Sequence, residues 1–246
     1  MREGGRGPDP AAWLLRADGF TARARPWPET PHAVHLVTLD QSLPPTTAAV
    51  QRWIAELTAA GVTVVRTGAL GPTGREGYLE AGFTVRQELA LLHHDLTGRS
   101  HPVDLSGDDR LRRPRRGDLV HLARVDERAF GATWAMDLVG IVDACQATPT
   151  YRLRVAADGD LPVGYAVSGR AGRATYLQRL AVDPGHQGRG LGRALVVDSL
   201  HWAHRHRGTG MLVNTHVENE PALGLYHSLG FVEQGYRLAV LEWSRP

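Results

Sequence analysis

Apolar positions along the chain follow two rhythms, and each change of rhythm marks a change of element. Over 46–60, Val50, Trp53, Ile54 and Leu57 recur at helical spacing, and Gly61 ends the helix they predict. The same spacing predicts helices over 118–130, with Asp118 near the N-cap, and over 134–147 and 190–205. Shorter helices are predicted over 75–81 and 221–228, and one around 11–16. Runs of β-formers predict strands over 20–25, 35–39, 62–65, 83–93, 111–116, 174–182, 211–217 and 232–243. Residues 151–156 and 162–168 read as a hairpin around Asp158-Gly159-Asp160. A polar stretch rich in Gly, Ser and Pro separates the halves. It sets a first unit at 1–98, a linker at 99–108 and a second unit at 109–246.

The pattern repeats. GYLEAGF at 77–83 lies over LYHSLGF at 225–231, an offset of 148 residues, and helix, strand, helix and strand follow in the same order at both places. The shared element order favours duplication over coincidence.

Composition narrows the chemistry. The 246 residues are 42% hydrophobic and 22% charged, the balance of a globular protein. No apolar run reaches the ~18 residues of a membrane span, and no signal-peptide core follows residues 1–10. All 28 basic residues are arginine. Without a lysine there is no Walker-type phosphate lysine, no Schiff base and no lysine general base. A formal charge of only +2 argues against a nucleic-acid surface as the default reading. Cys145 is the single cysteine, so no intramolecular disulfide or cysteine-rich zinc site forms. A reducing cytoplasmic location is expected.

The densest chemical signal is YLQRLAVDPGHQGRGLGRALVVDSL, residues 176–200. A strand ending at Val182 is broken by Asp183-Pro184. Gln187, Gly188, Arg189, Gly190, Leu191 and Gly192 then open a long helix. Glycines allow close backbone approach, and a helix N-terminus carries partial positive charge, which together suit a diphosphate. A dinucleotide fingerprint begun at Gly188 fails because position 193 is Arg193. A helix start with flexible glycines is the simpler alternative.

Here the chain resembles the GNAT superfamily, the acetyl-CoA-dependent N-acetyltransferases. The Q-x-x-G-x-G loop after L-A-V-D-P is similar to their motif A. VNTHVENEPALGLYHSLGF, residues 213–231, is similar to motif B. LRRPRRGDLVHLARVDERAF resembles the first strand and helix, so the resemblance covers about 110–243. It implies an α/β GNAT fold: a central mixed, mostly antiparallel sheet flanked by helices, here with an N-terminal partial GNAT-like unit. It implies acetyl-CoA as cosubstrate, an amine acceptor as partner, and direct attack on the thioester. By the resemblance, the backbone of Leu180, Ala181 and Val182 pairs with the pantetheine arm, and the Val182 N–H polarises the carbonyl. Gly188 to Arg193 hold the diphosphate, Asn219 bonds the cofactor arm, and Tyr226 protonates the leaving thiolate. The competing role for Tyr226 is packing under the cofactor.

In the ribosomal-protein alanine acetyltransferases a glutamate precedes that asparagine by five positions; here it is Asn214. His216 is the first candidate for the general base, against a surface histidine and a water chain. Trp134, Met136 and Leu138 fall where the family places its acceptor site, or else they pack the core. The arginine run 112–116 reads as a solvated strand edge before a phosphate site. His93-His94-Asp95 and His201, His204 and His206 read as structural before metal-binding, and Cys145 as core.

Read against the second half, the first is a degraded, structural copy. Its loop QSLPPTTA lacks glycine, looks shorter, and carries Pro44-Pro45, which remove N–H donors. Arg66 and Gly71 stand where Asn214 and Asn219 would fall, while Tyr78 matches Tyr226. The arrangement is similar to that of mycothiol synthases, which pair a working half with a weakened one. The rival function is a non-catalytic acyl-CoA-binding or regulatory module. Acceptor identity and oligomeric state are unreadable from these residues.

Overall fold

The computed structural model describes residues 12–27, 32–39, 43–97 and 108–245. The expected linker 99–108 lies outside the described residues except for Asp108. Two compact units result: Met1–Ala90 with Gly235–Pro246, and Leu91–Gln234. The sequence-order division at 1–98 and 109–246 differs from this, because the C-terminal residues group with the first unit.

The first unit contains β1 (Trp13–Ala17), β2 (Phe20–Pro26), β3 (Ala33–Thr38), α1 (Thr47–Ala59), β4 (Val64–Leu70) and α2 (Glu76–Glu80). It also takes the start of β5 (Thr84–Asp95) and most of β11 (Val232–Ser244). The helix expected around 11–16 is instead β1. Leu15 and Ala17 point inward while Leu14 is exposed, the two-residue period of a half-buried strand. Asp18 and Gly19, with φ of 51° and 86°, close a tight hairpin to β2. This Asp-Gly signal predicts the hairpin once it is weighed. β1, β2 and β3 are antiparallel, β3 and β4 parallel, and β11 lies antiparallel to β4. Trp53, Leu57, Tyr78, Leu36, Val65 and Leu241 fill the core between this sheet and α1.

The second unit holds residues 91–95 of β5, β6 (Leu111–Arg112), α3 (Asp118–Phe130), α4 (Leu138–Gln146), β7 (Thr150–Asp158) and β8 (Leu161–Ala171). β9 (Ala174–Val182), α5 (Leu191–Arg205), β10 (Gly210–His216) and α6 (Glu220–Ser228) follow. Its strands run in the order β5-β10-β9-β8-β7-β6. The β6 to β9 pairs are antiparallel and β9–β10 is parallel. Val155, Tyr165 and Ala181 lie in one cross-strand row and pack under α3 and α4. The adjacent row of Arg154, Ala166 and Leu180 belongs to the opposite face, where Arg154 meets Asp198 of α5. The sheet is therefore mixed, mostly antiparallel, and flanked by helices.

Two boundaries differ from expectation. The strand over 111–116 is only two residues long, because Pro114 cannot donate to a ladder. The helix over 134–147 begins at Leu138, where the Asp137 side chain accepts from the Gly140 N–H at 2.7 Å.

The repeat is structural. β3–α1–β4–α2–β5 and β9–α5–β10–α6–β11 share element order, and each opens with a parallel strand pair joined by a helix. β1 and β2 precede β3 as an antiparallel hairpin, as β7 and β8 precede β9. The loop after β3 is not shortened: Thr38 to Thr47 spans as many residues as Val182 to Leu191. Its chemistry differs, not its length.

Candidate active site

The site begins with a strand that leaves its neighbour. β9 and β10 pair from Ala174 and Gly210 to Leu177 and Val213, then part. Against β8 the register shifts between Arg179 and Leu177, a bulge at Gln178. Beyond it β9 bonds to β8 alone, through Val182 opposite Gly164. The Asp183 N–H donates to the Val163 carbonyl on β8. Backbone polarity alternates along a strand, so the N–H groups of Leu180 and Val182 face the parted side. Ala181 points under α3 as core.

The loop after β9 is built for backbone exposure. Asp183 pairs with Arg128 at 2.5 Å and accepts from the Gly185 N–H. Burial would raise the Asp183 carboxyl, but that bond and Arg128 outweigh it and hold the group below its ordinary range. The Gln187 side chain donates to the Val182 carbonyl at 3.0 Å, and Arg110 donates to the Arg189 carbonyl at 2.8 Å. Gly188 and Gly190 take φ of 73° and 78°, the left-handed region glycine enters without strain. Gly190 begins α5 with no side-chain cap. The N–H groups of Leu191, Gly192 and Arg193 therefore lack intrahelical partners. Arg189 and Arg193 are exposed beside them.

Asn219 is the N-cap of α6: its Oδ1 accepts from the Ala222 N–H at 3.3 Å and its Nδ2 donates to Thr215 Oγ1 at 3.1 Å. On the same helix Tyr226 is 4% exposed, its ring against Phe231. Burial raises its pKa, so the phenol stays protonated at neutral pH. Its hydroxyl has no hydrogen-bond partner among the described residues. Leu225 approaches Gly192, where an added Cβ would lie 3.4 Å from Leu225 Cδ2, so α6 and the start of α5 are neighbours.

His216 ends β10. Its Nδ1 accepts from the Glu218 N–H at 3.1 Å, which places the neutral ring's proton on Nε2. Its basic nitrogen is therefore already engaged. Asn214 is exposed on the same strand.

In the first unit β3 and β4 likewise pair only from Ala33 and Val64 to Leu36 and Thr67, but the start of the helix that follows is closed. The Thr46 side chain accepts from the Ala49 N–H at 3.2 Å, capping α1 internally. α1 packs on α2, and a Cβ at Gly77 would lie 2.3 Å from the Pro45 carbonyl oxygen. Backbone of the loop before α1 therefore lies directly against α2. Tyr78, the match of Tyr226, shares a 2.7 Å hydrogen bond with Thr38.

Sequence reasoning missed Asp126, Tyr165, Arg179 and Arg110, which meet from distant segments and carry no motif. Of the weaker candidates, His94 is buried against Phe231. Burial pushes the Cys145 thiol up to about 11, so it stays an inert core thiol. Arg112 pairs with Asp118 at 2.7 Å, so the arginine run is partly structural. No helix among the described residues is long and apolar enough to cross a membrane.

Known proteins resemble this chain in sequence and in fold. Residues 149–233 match the model of the acetyltransferase (GNAT) domain. Over these residues the chain is similar to GNAT acetyltransferase domains. Over 95 residues it is 37% identical to the N-alpha-acetyltransferase RimI of Mycobacterium tuberculosis, covering 37% of this chain and 58% of that protein. Over 179 residues it is 31% identical to the mycothiol acetyltransferase of Acidothermus cellulolyticus, covering 63% of this chain and 54% of that one. The chain thus spans little more than half the length of these relatives. In fold it is similar to a tandem GNAT protein from the clavulanic acid biosynthesis pathway, with TM-score 0.62, 14% identity and coverage of 95% and 82%. A GCN5-related N-acetyltransferase from Sphaerobacter thermophilus is similar too, with TM-score 0.60, 16% identity and coverage of 95% and 80%.

Proposed function

We propose that this chain transfers an acetyl group from acetyl-CoA to a primary amine, by direct attack of the neutral amine on the thioester. The observation that carries this reading is the parting of β9 from β10 beside an uncapped glycine loop and an unpartnered tyrosine hydroxyl. The pantetheine arm adds to the free edge of Leu180–Val182 in the manner of an extra strand. The diphosphate sits on the N–H groups from Gly188 to Arg193, with Gln187 holding the loop to β9. Asn219, as the cap of α6, bonds the arm or shapes its path. The Val182 N–H polarises the thioester carbonyl as negative charge grows on its oxygen. As the carbon–sulfur bond breaks, Tyr226 gives its proton to the thiolate. A buried phenol suits this, because it is fully protonated before the step.

His216 acts as base only by giving up its bond from the Glu218 N–H. We therefore assign it a smaller part than Tyr226, with water completing deprotonation of the amine. The single buried thiol is consistent with work in a reducing cytoplasm.

A second reading is favoured by Asn214 at the glutamate position and by the engaged His216: an acyl-CoA-binding module without turnover. Release of free coenzyme A thiol separates the two. The panel contains a peptide with a free N-terminus, an amino sugar, an aminothiol and an amine-bearing antibiotic. Amine-dependent thiol release with a matching acetyl mass shift supports transfer. Tight acetyl-CoA binding with no release supports the module.

A further inference from the structure

Asp126 of α3 is fully buried, and each carboxylate oxygen has two donors. Oδ1 accepts from the Met136 N–H at 2.6 Å and from Arg179 Nη2 at 2.5 Å. Oδ2 accepts from Arg179 Nε at 2.8 Å and from the Tyr165 hydroxyl at 2.5 Å. Arg179 also donates to the Trp134 carbonyl at 2.8 Å, and its guanidinium lies 3.5 Å from the Phe130 ring centroid. One buried pair therefore holds three things: the end of α3, the strand residue just before Leu180, and the backbone of the segment between α3 and α4. That segment turns at Gly131, where the Trp134 N–H bonds the Gly131 carbonyl, and ends at the Asp137 cap.

A buried ion pair is a poor way to gain stability, because desolvation offsets most of the attraction, and apolar replacements are often neutral or better. Apolar contacts among Leu122, Val125, Ile141 and Val155 already join α3 and α4 to the sheet. What the pair adds is direction. It bonds two backbone groups of 131–137 and sets them at a fixed place beside β9, while leaving Trp134 and Met136 partly exposed.

We propose that Asp126 and Arg179 are positioning residues that hold segment 131–137 beside the thioester end of β9, so that the pair sets affinity for the amine acceptor without touching either substrate. This rests on the acetyltransferase reading above. An amine must be held beside the carbonyl on β9, and a displaced wall loses contacts that hold it there, where each lost contact lowers its affinity. Acetyl-CoA contacts the other edge of β9 and the glycine loop, so its affinity is independent of the pair.

The test uses the full chain with Asp126→Leu, Arg179→Met and Tyr165→Phe together, which removes the pair without stranding a buried charge or hydroxyl. Expected are a melting temperature close to the parent's and an acetyl-CoA Kd within about twofold by calorimetry. Faster hydrogen exchange at the Met136 amide is also expected, with a rise of about tenfold in KM for the panel amine that the parent acetylates fastest. A smaller change in kcat than in KM separates positioning from general damage. Arg179→Lys alone is the second variant: it keeps the charge, loses the fork and the Trp134 bond, and should show the same pattern more weakly. A folded variant with unchanged acceptor KM overturns the proposal, as does one whose 131–137 amides exchange no faster. Parent chain that releases no thiol with any panel amine overturns the acetyltransferase reading and this proposal together, and that result is distinct from a working parent with an unaffected variant.

Discussion

Tyr226 and Tyr78 occupy matching places in the repeat, yet their hydroxyls differ. Tyr78 is bonded to Thr38, a satisfied core group, whereas Tyr226 is buried with its donor unused. The Tyr226 ring is buried, but its hydroxyl is not among the buried polar atoms left without a partner, so it is open to a partner that arrives with substrate. Tyr226→Phe should lower turnover about tenfold to a thousandfold, the scale of losing one acid–base group, with acetyl-CoA affinity little changed. Steady-state kinetics with saturating substrates checks this, and an unchanged kcat would remove Tyr226 from the chemistry. Tyr78→Phe should leave turnover alone and cost about 1 kcal/mol of stability for the lost hydrogen bond.

At the element scale the two helix starts differ in how their N–H groups are used. α1 begins at a threonine cap, and α5 begins at a glycine with its N–H groups unclaimed. α3 is secured differently. Asp118, in its first turn, accepts from the Arg115 N–H at 2.5 Å and from Arg112 at 2.7 Å and 3.1 Å. The Arg112 bonds, then the Arg115 N–H, hold the carboxyl below its ordinary value of 3.8 in spite of burial. A carboxyl with a lowered folded pKa stabilises the fold above its unfolded pKa and loses that contribution as pH falls through the folded value. Asp118→Asn should therefore cost ~2 kcal/mol near pH 7. The gap between parent and variant should close as pH drops below about 4. Denaturant titrations across that range check it, and a gap that stays constant would show that Asp118 acts by packing rather than charge.

Across the whole molecule the decisive quantity is stoichiometry. Two copies of one architecture suggest two cosubstrate sites, but in the first unit Thr46 uses the helix start and Pro45 fills the gap beside Gly77. We expect one acetyl-CoA per chain by calorimetry. Gly190→Asp should abolish it: a carboxylate would repel the diphosphate, and its Cβ would obstruct backbone approach. The variant should still fold, since a Cβ there meets nothing nearer than Arg110 at 4.0 Å and aspartate tolerates positive φ better than most residues. A second equivalent bound by the parent would place a site in the first unit, and tight binding retained by Gly190→Asp would show that the cradle lies elsewhere. The intact chain is the right object for this test, because the first unit includes Gly235–Pro246, which no N-terminal fragment contains.

Local order was legible from the residues themselves. Apolar spacing and turn residues located every α-helix of the described chain to within a few residues, and the glycine loop at 187–192 singled out the helix start that lacks a side-chain cap. Both follow from near-neighbour physics: side-chain period, glycine's freedom at positive φ, and orphan N–H groups at a helix end. The helix expected at 11–16 failed because a weak local preference gave way to pairing with β2, and tertiary burial outranks propensity over so short a run. Other features needed the folded chain. The parting of β9 from β10 depends on a bulge and a register between distant strands. The unused Tyr226 hydroxyl and the satisfied Tyr78 are told apart only by what stands opposite each ring. Asp126, Tyr165 and Arg179 are 39 and 53 residues apart from carboxylate to donors, so no spacing rule links them. Their meeting is a product of sheet order and helix packing, which bring together groups that sequence keeps apart.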